Sequence, residues 1–168
     1  MDKTTGYSLW LMPSGVAFDQ LSQIIRTIGR AHSAPVFAPH VTLLGGLQKK
    51  ERIIIARTEK LCAMLQPYTI RLKGIEYGAE YFRCLYYRVE KTTELDRGYA
   101  RACDIFEVSP EQFVPHVSLM YGDIPRALKE KTAAAIQPPT NTFSVKHLDL
   151  VLTNGVVEAW RTVRRFAL

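Results

Sequence analysis

Phe37-Ala38-Pro39-His40-Val41-Thr42-Leu43 decides the fold, because the chain carries it twice. It returns 76 residues later as Phe113-Val114-Pro115-His116-Val117-Ser118-Leu119. Five of the seven positions are identical, and Thr42/Ser118 exchanges one hydroxyl for another. Glycine recurs at the same interval, at Gly46 and Gly122. Each proline biases its predecessor towards extended backbone, as at the entry to a strand. On a strand, side chains i and i+2 share a face. His40 therefore points with Thr42, and His116 with Ser118, while Val41, Leu43, Val117 and Leu119 point to the opposite, core side. Each copy presents one imidazole and one hydroxyl side by side on a rigid element.

The flanking sequence repeats the pattern at the level of elements. Residues 7–12 are apolar and end at Pro13, which predicts a strand. Phe18, Leu21, Ile25 and Ile28 recur at helical spacing, with Gly29 near the stop. A strand follows over 36–44, closed by Gly45-Gly46. Ile54, Thr58, Leu61 and Leu65 mark a second helix, stopped at Pro67. Residues 68–77 and 81–89 read as a hairpin. Leu95, Tyr99, Ala102 and Phe106 line a third helix, 113–121 is a strand, and an Ala-rich helix covers 126–136. Finally, 143–152 and 156–166 flank Thr153-Asn154-Gly155. Asn-Gly is a hairpin signal, since both residues tolerate positive φ. After the first strand the order is thus α-β-α-β-β, twice. No linker divides the copies, so the expectation is a single domain over 1–168, with repeat halves at approximately 14–90 and 91–168.

Two such pairs, brought face to face by a pseudo-two-fold axis, make a symmetric cleft with two acid–base groups and two hydroxyl donors. That set suits a tetrahedral anion. The hydroxyls can donate to phosphate oxygens. One neutral histidine can take a proton from water, and the other, as imidazolium, can protonate the departing oxygen. The pair should titrate as a unit with a bell-shaped profile. The repeat makes His40 and His116 equivalent by type, which leaves open which is base and which is acid. Two histidines without a carboxylate motif are a thin ligand set, so no metal and no other cofactor is expected. The sequence has no Gly-x-Ser-x-Gly elbow, which argues against a serine hydrolase.

Composition sets the outer bounds. The chain has 168 residues, 47% apolar and 23% charged, ordinary for a globular protein and unlike a disordered tail, a collagen or a membrane bundle. Lys and Arg number 22 against 16 Asp and Glu, a net charge of +6 that favours anionic partners. Cys62, Cys84 and Cys103 include no Cys-x-x-Cys pair and read as reduced core thiols of an intracellular protein. Residues 1–15 do not read as a signal peptide, and the longest aliphatic run, 53–56, is too short to span a bilayer. The expectation is a cytoplasmic protein without membrane contact. His32 reads as a solvated loop residue and His147 as exposed. Arg161, Arg164 and Arg165 could form a basic patch, with Arg161 and Arg165 sharing strand parity.

With His40-Val41-Thr42 and His116-Val117-Ser118 the chain resembles the 2H phosphoesterase superfamily. Tyr7-Ser8-Leu9-Trp10-Leu11-Met12-Pro13, Tyr81-Phe82-Arg83-Cys84 and His116-Val117-Ser118-Leu119-Met120-Tyr121 are similar to its cyclic phosphodiesterase branch, known from plants and yeast. The likeness covers nearly the whole chain. It implies a bilobal α+β fold, with two antiparallel sheets forming a central cleft and helices on the outside. It implies metal-independent hydrolysis of a small cyclic nucleotide: a nucleoside 2′,3′-cyclic phosphate, or ADP-ribose 1″,2″-cyclic phosphate, a by-product of tRNA splicing. In that reading His40 and His116 are the acid–base pair, Thr42 and Ser118 hold the phosphate, and Trp10 and Tyr121 contact base or sugar. On an ideal strand Tyr121 would face away from His116, so a strand end near Gly122 has to re-aim it. Two alternatives stand beside this reading. One is an RNA-end processing enzyme of the same superfamily, a 2′-5′ RNA ligase or 3′ phosphodiesterase. The other is a non-catalytic nucleotide-binding module. A monomer is expected in each case.

Overall fold

The structure is a computed structural model that describes residues 3–168. Its strands are β1 (Tyr7–Leu11), β2 (Val41–Leu47), β3 (Tyr68–Tyr77), β4 (Leu85–Val89), β5 (His116–Met120), β6 (Thr142–Val145), β7 (His147–Leu152) and β8 (Arg161–Ala167). Its helices are α1 (Val16–His32), α2 (Glu51–Cys62), α3 (Thr93–Phe106) and α4 (Arg126–Ala135), with short 3-10 turns at Tyr81–Arg83 and Val157–Ala159. The α+β class expected from the sequence is the one observed. The strands pair antiparallel in the order β6-β3-β4-β5-β2-β1-β7-β8. The two expected sheets are therefore joined, through one register pair between β2 and β5, Val41↔Val117. Both valines are fully buried. The join sets the two copies of the seven-residue motif on adjacent central strands.

The interval of 76 residues extends into the register of the sheet. Trp10↔Thr42 and Leu11↔Val41 pair β1 with β2. Tyr86↔Ser118 and Tyr87↔Val117 pair β4 with β5. β4 thus holds, beside β5, the place that β1 holds beside β2. The sequence reading set the first strand outside the repeat; in the sheet it is the counterpart of β4.

Each helix buries one stripe. On α1 the stripe includes Ala17, Leu21, Ile25 and Ile28, and on α3 it includes Leu95, Ala102, Cys103 and Phe106. The Thr92 hydroxyl caps α3 by accepting from the Leu95 amide at 3.3 Å. These stripes meet Leu9, Leu11, Val41, Leu43, Val117 and Leu119 in one apolar core, as the period of two required of the motif strands. Trp10 and Met12 point the other way and pack with Val151 in a second, smaller cluster. All three cysteines are buried and unpaired.

Several boundaries differ from the sequence reading. α1 runs through Gly29 to His32. A Cβ at Gly29 would meet Val36 Cγ2 at 2.8 Å, so glycine there admits the returning chain and does not stop the helix. The stop is Ser33, in the left-handed conformation at φ 51°. β2 starts at Val41 and passes through Gly45-Gly46 to Leu47. Residues 142–152 form two strands. β6 pairs with β3 and β7 with β1, so the chain crosses at Lys146 from one end of the sheet to the other half. Asn154-Gly155 does not make a two-residue hairpin: only Gly155 has positive φ, at 85°, and the connection continues through the second 3-10 turn.

Candidate active site

Beside the small Trp10 cluster lies a cleft of about 430 Å³. His40, Thr42, His116, Ser118, Trp10 and Tyr121, the six residues singled out from the sequence, all line it.

The two histidines are held in the same way. His40 Nδ1 lies 2.7 Å from the Ala38 carbonyl oxygen, and His116 Nδ1 lies 2.8 Å from that of Val114. A carbonyl only accepts, so in each ring Nδ1 carries the hydrogen. The neutral imidazole then keeps its lone pair on Nε2. The bond reaches two residues back in both copies, across the proline.

Their surroundings are not the same. His40 is 5% exposed, and its ring stacks on Trp10 at 3.5 Å between centroids with planes 7° apart. Burial drives its pKa down to about 3, against the bond to Ala38, with a small further push from His116. His116 is half-buried and meets the Tyr86 ring at 5.2 Å and 64°. Its pKa lies below the ordinary value, first through burial and then through the Arg83 guanidinium, while the Val114 bond and Glu80 oppose the shift. Trp10 and Tyr86 are 76 residues apart, so each histidine has an aromatic from the equivalent strand position. One stacks face to face and the other meets its histidine at an angle.

The hydroxyls differ too. Ser118 is 4% exposed, and its Oγ donates to the Phe82 carbonyl at 3.1 Å. Thr42 is half-buried, and its hydroxyl has no hydrogen-bond partner among the described residues. Tyr121 lies just past the end of β5, which frees it from strand alternation. It turns into the cleft, stacks on Phe37 at 3.8 Å and reaches the Ser118 hydroxyl. Burial pushes its phenol pKa up.

Sequence reasoning missed Phe82, Trp160, Glu80 and Arg83 as lining residues, and Tyr86 beside His116. Trp160 completes an aromatic floor, 5.9 Å from both Trp10 and Phe82 and 6.0 Å from Tyr121. The interval of 76 from Trp10 could have found Tyr86. Nothing marked Trp160, which a 3-10 turn carries into the cleft.

Other sequence candidates lie outside the cleft. Arg165 grips the buried Asp149 carboxylate with two bonds of 2.7 and 2.9 Å, and Arg164 pairs with Glu59 at 2.8 Å. A register shift between Leu150 and Val151 breaks the parity that was to align Arg161 with Arg165. All three arginines are exposed, and two of them are engaged in ion pairs. His32 ends α1 and meets the Thr132 hydroxyl at 3.0 Å, so it is not a solvated loop residue. His147 is half-buried at the start of β7. Among the described residues no group of three or more His, Cys, Asp or Glu could hold a metal ion, and no helix is long and apolar enough to cross a membrane.

Comparison with known proteins agrees with this geometry. The family model described as "Cyclic phosphodiesterase-like protein" matches residues 5–168. A cyclic phosphodiesterase of Arabidopsis thaliana is 22% identical over 166 residues, covering 94% of this chain and 92% of the relative. A 2′,3′-cyclic-nucleotide 3′-phosphodiesterase of Yarrowia lipolytica is 26% identical over 161 residues, covering 71% and 74%. The fold is similar to that of E. coli LigT complexed with 3′-AMP, with a TM-score of 0.64, 14% identity and 96% of each chain covered. With the family match running from the opening strand to the last residue, this chain belongs to the cyclic phosphodiesterase-like family of 2H phosphoesterases.

Proposed function

We propose that this cleft hydrolyses the cyclic phosphodiester of a small nucleotide, a nucleoside 2′,3′-cyclic phosphate or ADP-ribose 1″,2″-cyclic phosphate, with His40 as general base and His116 as general acid. The observation that carries it is the shared tautomer. Both rings give Nδ1 to a backbone carbonyl and keep Nε2 for proton transfer, beside one hydroxyl each, in one cleft. The names of the two relatives, a cyclic phosphodiesterase and a cyclic-nucleotide phosphodiesterase, support the substrate class. Burial keeps His40 neutral across the working range, as a base must be. The more open His116 is the member of the pair that can be charged. Water gives its proton to His40 Nε2 and bonds to phosphorus, the bond to the leaving oxygen breaks, and that oxygen takes the proton of His116. Thr42 and Ser118 hold the non-bridging oxygens, Ser118 by turning away from the Phe82 carbonyl. The RNA-end alternative needs a long basic surface to track a strand, and the excess charge of +6 is spread along the chain without an Arg/Lys block.

The test is turnover of the four nucleoside 2′,3′-cyclic phosphates and ADP-ribose 1″,2″-cyclic phosphate in excess EDTA, as a function of pH. Turnover persists in EDTA. In kcat/KM, activity falls as pH rises through the His116 pKa of the free enzyme, below 6.5. In kcat the same limb lies at higher pH, because a bound phosphate anion favours the imidazolium. Activity only after metal is added, or no turnover of any of these compounds, refutes the proposal.

The hydroxyls supply a second check. Thr42→Val and Ser118→Ala each lower kcat by about 10²-fold, as for loss of one donor to developing charge. Only Ser118→Ala also strips the half-buried Phe82 carbonyl of its donor, which costs about 1 kcal/mol in urea unfolding. A Thr42→Val variant with full kcat sinks that role for Thr42.

A further inference from the structure

We propose that Arg83 is an anion-binding residue on the His116 side of the cleft, which exchanges its ion pair with Glu80 for a phosphate oxygen of the substrate. This rests on the cyclic phosphodiester reading above and adds a residue to it.

The backbone of Arg83 is fixed to the strand that carries His116 and Ser118. It ends the turn Tyr81–Arg83, whose Phe82 carbonyl accepts from Ser118 Oγ at 3.1 Å and whose Tyr81 carbonyl accepts from the Gly122 amide at 3.0 Å. On the other side, a Cβ at Gly78 would meet the Arg83 carbonyl oxygen at 2.7 Å, so only glycine lets the β3 end pass so close. Lys129, itself buried, donates to the Gly78 carbonyl at 2.6 Å. The turn therefore holds Arg83 in one place at the wall of the cleft.

Its side chain is poised and weakly engaged. Arg83 is 29% exposed and its partner Glu80 is 67% exposed, on the same turn. An ion pair with so exposed a carboxylate is screened and cheaply exchanged. Among the described residues that line the cleft, the cations are Lys3 and Arg83 and the one acid is Glu80. The planar guanidinium fork matches two oxygens of a phosphate.

Every charged or titratable group around His116 fits this assignment. Tyr86 and Arg88 face it from β4, where Arg88 is neutralised by Glu76 of β3 at 3.0 Å. His40, just before β2, lines the same cleft, and burial keeps it neutral. Arg83 and Glu80 remain as the charges that act on it from the turn.

The experiment compares wild type, Arg83→Gln, Arg83→Lys and Glu80→Gln as full chains. It measures calorimetric affinity for a nucleoside 2′-monophosphate and the pH profile of kcat/KM on a 2′,3′-cyclic phosphate. Arg83→Gln weakens binding and raises KM about tenfold, the loss expected for a charge-assisted contact. Arg83→Lys recovers part of the affinity. Glu80→Gln tightens binding about twofold to threefold, because no carboxylate competes. The basic limb moves to higher pH in Arg83→Gln and to lower pH in Glu80→Gln, a pair of opposite shifts that a structural role does not give. Should Arg83→Gln fail to fold, Glu80→Gln and Arg83→Lys carry the test, since Glu80 is largely exposed and Lys keeps a charge at position 83. Affinity unchanged in all three variants, or limbs that move in the same direction, overturns the Arg83 assignment. If the wild type itself neither binds nor turns over these nucleotides, the cyclic phosphodiester reading falls, and the assignment with it.

Discussion

His40→Asn and His116→Asn each lower kcat on a cyclic nucleotide by about 10³-fold, within the usual range for loss of a positioned acid or base. Asparagine is the informative replacement. Its amide N–H can still donate to the carbonyl two residues back, at Ala38 or Val114, so the local backbone keeps its partner. What it lacks is a nitrogen that accepts and releases a proton near neutral pH. The two losses are not independent. In the proposed mechanism one histidine takes the proton of the water and the other supplies that of the leaving oxygen in the same displacement, so the double variant loses little more than either single one. The pH profiles separate the roles. His116→Asn abolishes the decline of kcat/KM at rising pH, whereas His40→Asn leaves it in place on a much lower plateau. Thermal unfolding of each variant reports whether the fold survives. Either variant within tenfold of wild type, in a folded protein, refutes the two-histidine mechanism. A double variant that loses the product of the two single effects shows that the histidines serve separate steps.

The central pair of strands was legible because two rules coincide there. Proline fixes where each copy enters extended backbone, and alternation then decides which of His40, Val41, Thr42 and Leu43 face the cleft. Composition plays no part in that argument, which is why seven residues sufficed. The equivalence of β1 and β4 went unread, because it is plain in register and leaves only a faint trace in residues at the interval of 76. Trp10 and Tyr86 share only an aromatic ring. The crossing at Lys146 was hidden for a related reason. Residues on both sides of it are strand formers, and only the choice of partner, β3 for β6 and β1 for β7, divides them. The asymmetry of the histidines lay beyond the sequence altogether. Each follows a proline and precedes a valine. Their protonation differs because one is covered by an indole and the other is left half open. Of the excess positive charge, a first hint of an anionic partner, Lys3 and Arg83 line the cleft, and the arginines of β8 do not.

Trp10→Ala lowers kcat by about 10²-fold, the scale of a misplaced catalytic group, and costs about 3–5 kcal/mol of stability, as for a buried aromatic cut to alanine. KM changes much less. The resemblance to the cyclic phosphodiesterase branch implied a contact between Trp10 and the base or sugar, and the indole also packs on the proposed base. One face of the indole is covered by the His40 ring at 3.5 Å. The side chain is 6% exposed and packs with Met12 and Val151. The indole lines the cleft and also backs the ring of His40, so the expected larger effect is on the orientation of that proposed base. Without the indole, His40 keeps its bond to Ala38 and an edge contact with Phe37 but loses the face that fixes its plane, so Nε2 no longer points steadily at the attacking water. The same indole excludes solvent from the ring, and its removal lets water reach His40 and raises its pKa from about 3 towards the ordinary value. The acid side of the pH profile then moves up with it. Trp10→Phe, which restores a flat ring of smaller area, recovers most of kcat and most of the stability, while Trp10→Leu recovers stability alone. A different result decides for the ligand contact: if Trp10→Ala raises KM by tenfold or more while kcat and the acid side of the profile stay put, the indole is a substrate wall and His40 stands without it.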